Sequence, residues 1–152
     1  MTTIDGLHVD LRDVPPDFVP CFNAQCPRCE QCVRYSAGQV QPARPKIGLC
    51  VFPQSVGRDG SCPYFYQLRV IREVWGFDRL FDEVKARDIH ALRLKIEDYL
   101  GSHSSYYRYH HGELTLTPKQ QEHILQLFAN MGYDTANLAF SHYRETVDYN
   151  AD

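Results

Sequence analysis

Four cysteines fall within twelve residues, Cys21, Cys26, Cys29 and Cys32, and two more stand at Cys50 and Cys62. Thiolate sulfur suits Zn(II), which is borderline-soft, redox-inert and readily held in a tetrahedral cage. The pairs Cys26-x-x-Cys29 and Cys29-x-x-Cys32 let one turn supply two donors at little entropic cost. A remote donor, Cys62, would close the loop from residue 33 to 61, and such closure matters most where the intervening chain makes little regular structure. Spacing alone favours a donor set that contains Cys26 and Cys29. A second chemistry stays open, because Cys26-x-x-Cys29-x-x-Cys32 with a distant Cys62-Pro63 echoes the ligand run of ferredoxin-type iron–sulfur proteins. That reading needs Cys29 as a ligand. It is opposed by Val33, Arg34, Tyr35 and Ser36, which stand where the fourth clustered cysteine would be. Six thiols without metal are the third reading. Cys50 reads as a small buried hydrophobe.

The elements that must position these residues differ between the two halves of the chain. Pro15, Pro16, Pro20, Pro27, Pro42, Pro45, Pro53 and Pro63 all precede residue 64. Proline fixes φ and removes a donor, so the first half is expected to be loops, a short helix around Glu30–Ala37 and one or two strands. Lys46–Phe52 is the strand candidate, with Ile47, Leu49 and Val51 alternating with Gly48, Cys50 and Phe52. Gln67–Trp75 is a second strand or a helix, which periodicity does not decide.

The second half reads as helical. Ile89, Leu92, Ile96, Tyr99 and Leu100 share one helical face, with Asp88 as the expected cap and Gly101 as the end. Thr117, Pro118 and Gln120 form a capping box with proline at the first helical position. Ile124, Leu127, Phe128 and Met131 then make an apolar stripe that Gly132 closes. A third helix is expected over Asn137–Val147, and an extended segment over Tyr106–Glu113 with a turn at Gly112. The expected fold is α+β, a single domain of 152 residues. A Cys-rich, proline-rich metal-binding portion (1–66) would pack on a three-helix portion (67–152).

Other chemistry is thinly represented. His110 and His111 on a strand would face opposite ways and rarely share an ion. No His-Glu-x-x-His, Gly-x-Ser-x-Gly, phosphate loop or dinucleotide glycine run is present, so the chain is expected to be no enzyme. Tyr106, Tyr107, Arg108 and Tyr109 form an aromatic–basic cluster that could stack single-stranded bases. No Lys or Arg run accompanies it, and the net charge of -3 gives no whole-molecule attraction for nucleic acid. A helix-turn-helix over Thr117–Val147 is weakened by Phe128, which stands where a small residue is needed. Met1–Pro20 lacks a basic start and an apolar run, which argues against a secretory signal. No apolar run is long enough for a membrane span. A cytoplasmic, reducing location is therefore expected, where clustered thiols serve as ligands before disulfides.

Several short runs carry a family resemblance. They are Cys21-Phe22-Asn23, Cys26-Pro27, Cys32-Val33-Arg34-Tyr35 and Cys62-Pro63-Tyr64-Phe65. Further on come Trp75-Gly76-Phe77, Tyr106-Tyr107-Arg108, Gly112-Glu113, Leu116-Thr117-Pro118-Lys119-Gln120-Gln121 and Gly132-Tyr133. Together they resemble a group of small, uncharacterised bacterial proteins known as a domain of unknown function. The resemblance implies Cys21, Cys26, Cys32 and Cys62 as the metal ligands, with Cys29 the first substitute and Cys50 outside the set. It implies no activity. The expectation is thus a small cytoplasmic protein stabilised by structural zinc, acting through a protein partner. Nucleic-acid binding and iron–sulfur redox chemistry stand as alternatives.

Overall fold

The computed structural model describes residues 2–4, 7–10, 13–40 and 47–150. Its element order is β1 (Thr2–Ile4), β2 (Leu7–Val9), α1 (Val33–Gln39), β3 (Val70–Trp75), α2 (Ala86–Leu100), α3 (His103–His110), α4 (Pro118–Asn130) and β4 (His142–Val147). The expected α+β class holds. Strands β1 and β2 form an antiparallel ladder in which Thr3 faces His8, and β3 pairs with β4. The chain falls into two compact units, one of residues 1–71 with 146–152 and one of residues 72–145.

In the first unit, α1 is short and its first residue follows an extended Cys32 with no side-chain cap. Val33, Ala37 and Val40 recur at helical spacing, and that stripe is buried with Val14, Val147 and Tyr149. Phe18, Tyr66 and Leu68 complete this core from its margin. Burial rather than capping therefore holds the helix. The Glu30–Ala37 helix expectation is met with a shift: a 3-10 turn covers Cys29–Gln31 and the α-helix begins at Val33.

The strand expected at Lys46–Phe52 does not form. Lys46 lies outside the described residues. Over 47–52 only Val51 is bridged, in parallel with Cys21, and Ile47 and Leu49 are 91% and 82% exposed. Alternation makes a strand only when a neighbouring strand accepts its ladder bonds and covers its apolar face.

The second unit is built on Phe77, Leu80, Leu92, Ile96, Leu116, Ile124 and Phe128, all fully buried. Helix α4 carries the expected box: Thr117 Oγ1 accepts from Gln120 N–H at 3.4 Å, and Gln120 Oε1 accepts from Thr117 N–H at 2.9 Å. Helix α2 ends at Gly101 as expected, but Asp88 is not its cap. The N-cap position is Lys85, and Asp88 Oδ2 instead accepts the Tyr133 hydroxyl at 2.5 Å.

Two expectations fail in this unit. Tyr106–His110 is not extended: α3 covers it, started by Ser102, whose Oγ accepts from Ser105 N–H at 3.0 Å, while the turn expected at Gly112 is present. Tyr106 then lies buried against Phe77, with ring centroids 4.6 Å apart. Asn137–Val147 is not a helix. A 3-10 turn at Thr135–Asn137 leads into β4, because the edge of β3 offers backbone partners. The three helices of the second half are thus not the expected three, and the helix-turn-helix reading loses its second helix. No helix of the described residues is long and apolar enough to cross a membrane.

Candidate metal centre

All the ligand-bearing segments belong to the first unit, and backbone pairing brings them together. Cys32 is bridged to Gln67 through Val33 N–H donating to Tyr66 O and Leu68 N–H donating to Gln31 O, each at 2.8 Å. That pairing sets the 62–65 turn, closed by Phe65 N–H on Cys62 O at 3.1 Å, beside the Cys29–Cys32 turn. Cys21 is tied from two sides. Its N–H donates to Arg34 O, and Val51 N–H donates to the neighbouring Pro20 O, both at 2.8 Å.

The knuckle itself is a chain of tight turns. Cys26 N–H donates to Asn23 O, Cys29 N–H to Cys26 O and Cys32 N–H to Cys29 O, at 3.3, 3.1 and 3.0 Å. The loop before Cys62 is closed by Gly57 N–H on Ser61 O at 2.8 Å. Within it the Ser61 hydroxyl and N–H both donate to Asp59, which holds that carboxyl below the usual range. Gly60 has φ +79°, and a Cβ there would come within 3.2 Å of Pro27 Cγ. The loop therefore sits directly on the residue between two of the cysteines.

Cys21, Cys26, Cys29, Cys32 and Cys62 line one cleft, together with Asn23, Arg34, Tyr35, Phe52 and Tyr64 among others. Burial pushes the Cys21 thiol up from its ordinary value. The Asn23 backbone N–H opposes this, and like-charge repulsion from Cys32, Cys26 and Cys62 adds to it. Those three are the residues the resemblance pairs with Cys21. Cys29 Sγ faces a different partner, the Ala24 carbonyl at 3.8 Å. Cys50 is half-buried and is not part of the cleft lining. The cysteines are free thiols. Among the described residues, no three His, Cys, Asp or Glu side chains are already drawn into a metal-binding group. The donor chemistry nevertheless fits a thiophilic ion: five sulfurs share one cleft, and none of them is held in a disulfide.

Arg34 is a positioning residue with no signal in local spacing. Its Nε donates to Tyr64 O at 3.0 Å and its Nη1 to Val19 O at 2.7 Å. One guanidinium therefore ties the segment of Cys21 to the segment of Cys62. Gly38 is the second such residue. A Cβ there would collide with Cys21 O and meet Phe22 Cδ1 at 3.2 Å, so α1 lies directly against the Cys21 backbone. Phe22, Phe52 and Tyr64 leave more than half of their surface exposed near this cleft. The aromatic–basic cluster is reorganised by α3: Tyr106 is buried, Tyr109 O–H lies 3.4 Å from Gln120 Nε2, and Arg108 pairs with Glu113 at 3.4 Å. His110 closes the helix, and its Nδ1 accepts from Phe77 N–H at 3.3 Å.

Fold and site together define an α+β protein whose first unit carries a cysteine-lined cleft. The chain belongs to the Family of unknown function (DUF6078), whose model matches residues 4–149. Neither the curated proteins nor the solved structures contain a match to it.

Proposed function

We propose that this chain is a small cytoplasmic interaction or regulatory protein whose first unit is clamped by one structural zinc ion on Cys21, Cys26, Cys32 and Cys62. The observation that carries the reading is the convergence of these four thiols on one cleft from segments 30 residues and more apart. Bound zinc would supply a cross-link without redox chemistry. The chain's own contribution is to hold four sulfurs near one another: Arg34 ties the two outer segments, and the turn hydrogen bonds fix Cys26 and Cys32. Closing the cleft on an ion takes side-chain rotation and the loss of the thiol protons, which makes affinity fall at acid pH.

Phe52 and Tyr64 line the same cleft and are more than half exposed, and an apolar surface of this kind supports contact with a protein partner. Elemental analysis of the untagged protein tests the reading. One equivalent of zinc is expected, lost in Cys62→Ser and retained in Cys29→Ser. The reverse pattern would return the assignment to Cys26-x-x-Cys29 spacing. A visible absorption band after anaerobic purification would replace zinc by an iron–sulfur cluster.

A further inference from the structure

The cleft holds one thiol more than a tetrahedral site uses, and the position of the extra one has a consequence for chemistry. Cys29 lies between Cys26 and Cys32, three residues from each, and both spans are closed by i to i+3 hydrogen bonds. In such turns residues i and i+3 come onto the same side, about 6 Å apart at a rise of ~2 Å per residue, which is within the span of a disulfide. Cys26 and Cys29 are both part-exposed, whereas Cys32 is buried. Among the described residues, the sulfur of Cys29 makes a weak contact with Ala24 O.

We infer that Cys29 is the oxidisable thiol of this cluster and that a peroxide converts it into a Cys26–Cys29 disulfide that opens the metal site, an inference that rests on the zinc reading above. Electrons and atoms balance in two steps. The Cys29 sulfur attacks hydrogen peroxide, breaking the O–O bond and giving a sulfenic acid and one water. The Cys26 thiolate then attacks the Cys29 sulfur, forming the S–S bond and expelling hydroxide, which leaves as water after taking a solvent proton. Two sulfurs have together lost two electrons to the peroxide. Cys26 can no longer donate, and three thiolates hold zinc far less tightly than four. Reduction by a dithiol restores the site. The bridge closes within a single turn, because the linked residues already share its backbone hydrogen bond.

The chain carries its own readout. Trypsin cuts after Arg28 and Arg34, so a Cys26–Cys29 bridge joins residues 13–28 to residues 29–34. A Cys29–Cys32 bridge would instead leave a loop inside residues 29–34. The full-length zinc-loaded protein is titrated with hydrogen peroxide while a chromogenic chelator reports free zinc, and alkylated digests are mapped with fragmentation. The expected result is the joined pair carrying the bond at Cys26, with zinc release in step. Release should slow roughly tenfold in Cys29→Ser and be unchanged in Cys50→Ser. Release from Cys29→Ser at the wild-type rate, or any bridge other than Cys26–Cys29, the Cys29–Cys32 loop included, overturns the inference. So does a Cys29→Ser protein that binds no zinc, because Cys29 is then a ligand. A wild-type chain that carries no zinc overturns the zinc reading and the release, and the peptide map of that metal-free chain then decides separately whether Cys29 bridges to Cys26.

Discussion

Gly38→Ala tests whether the first helix and the cysteine cleft are one mechanical unit. On propensity alone the change should help, because alanine is favoured over glycine inside a helix by about 1 kcal/mol. The tertiary contact works in the opposite direction. The new Cβ would overlap Cys21 O, with the carbonyl carbon at 3.1 Å and Phe22 Cδ1 at 3.2 Å. A backbone oxygen cannot rotate away as a side chain can, and the peptide preceding it is held by Cys21 N–H donating to Arg34 O and by Pro20 O accepting from Val51 N–H. Overpacking of this kind costs up to about 3 kcal/mol, which leaves a net loss of about 2 kcal/mol. For a chain of this length that corresponds to a fall in Tm of roughly 4–8 °C. Zinc competition with a chromophoric chelator should weaken in parallel, because the segment displaced carries Cys21. Gly48→Ala serves as the control, since among the described residues nothing lies within 4 Å of its added Cβ. A Gly38→Ala protein that melts higher than wild type, with unchanged zinc affinity, would refute the claim that α1 is seated on the Cys21 backbone.

Arg34→Ala removes two charge-assisted bonds to carbonyls at 3.0 and 2.7 Å, and the part-exposed setting places the loss at about 2 kcal/mol. Arg34→Lys should recover little of it, because a single ammonium does not reproduce the fork; chemical denaturation measures both. Thr117→Ala opens half of the capping box of α4 and should cost about 1 kcal/mol in thermal unfolding, with no change in metal content. Tyr149 has a buried hydroxyl with no hydrogen-bond partner among the described residues, and burial, with the nearby Asp13 charge second, pushes its pKa up to about 12. Its folded value lies above the unfolded one, so its contribution is intact below about pH 10 and is lost as pH rises toward 12, to the extent of about 3 kcal/mol. Unfolding curves from pH 9 to 12 should show that decline in the wild type and a shallower one in Tyr149→Phe, which should be no less stable at neutral pH.

Legibility followed the range of the interaction. The box at Thr117–Gln120 and the end of α2 at Gly101 were readable because every group involved lies within four residues. The Ser102 cap of α3 was equally local, with Ser105 three residues on, yet the tyrosine run after it reads as strand-forming by propensity. Burial of Tyr106 against Phe77 is what favours the helix there. Lys46–Phe52 and Asn137–Val147 mark the opposite failing. Alternation at 47–52 found one bridge and no sheet, while the helical spacing expected at 137–147 gave way to pairing with β3. The cleft divides in the same manner. Clustered cysteines were visible from the outset, whereas Arg34 and Gly38 act on partners 15 to 30 residues distant and left no local trace.

By itself, then, the sequence determined that sulfur donors would be concentrated before residue 63 and that the apolar stripes at 89–100 and 124–131 would be helices. Residue type and short-range hydrogen bonding suffice for both. Only the tertiary structure brings Cys62 beside the knuckle in one cleft and leaves Cys50 out of its lining. That depends on the pairing of Cys32 with Gln67 and of Cys21 with Val51, contacts between segments about 30 residues apart. Such contacts are chosen by the burial and backbone pairing of the whole unit, and no local spacing encodes them.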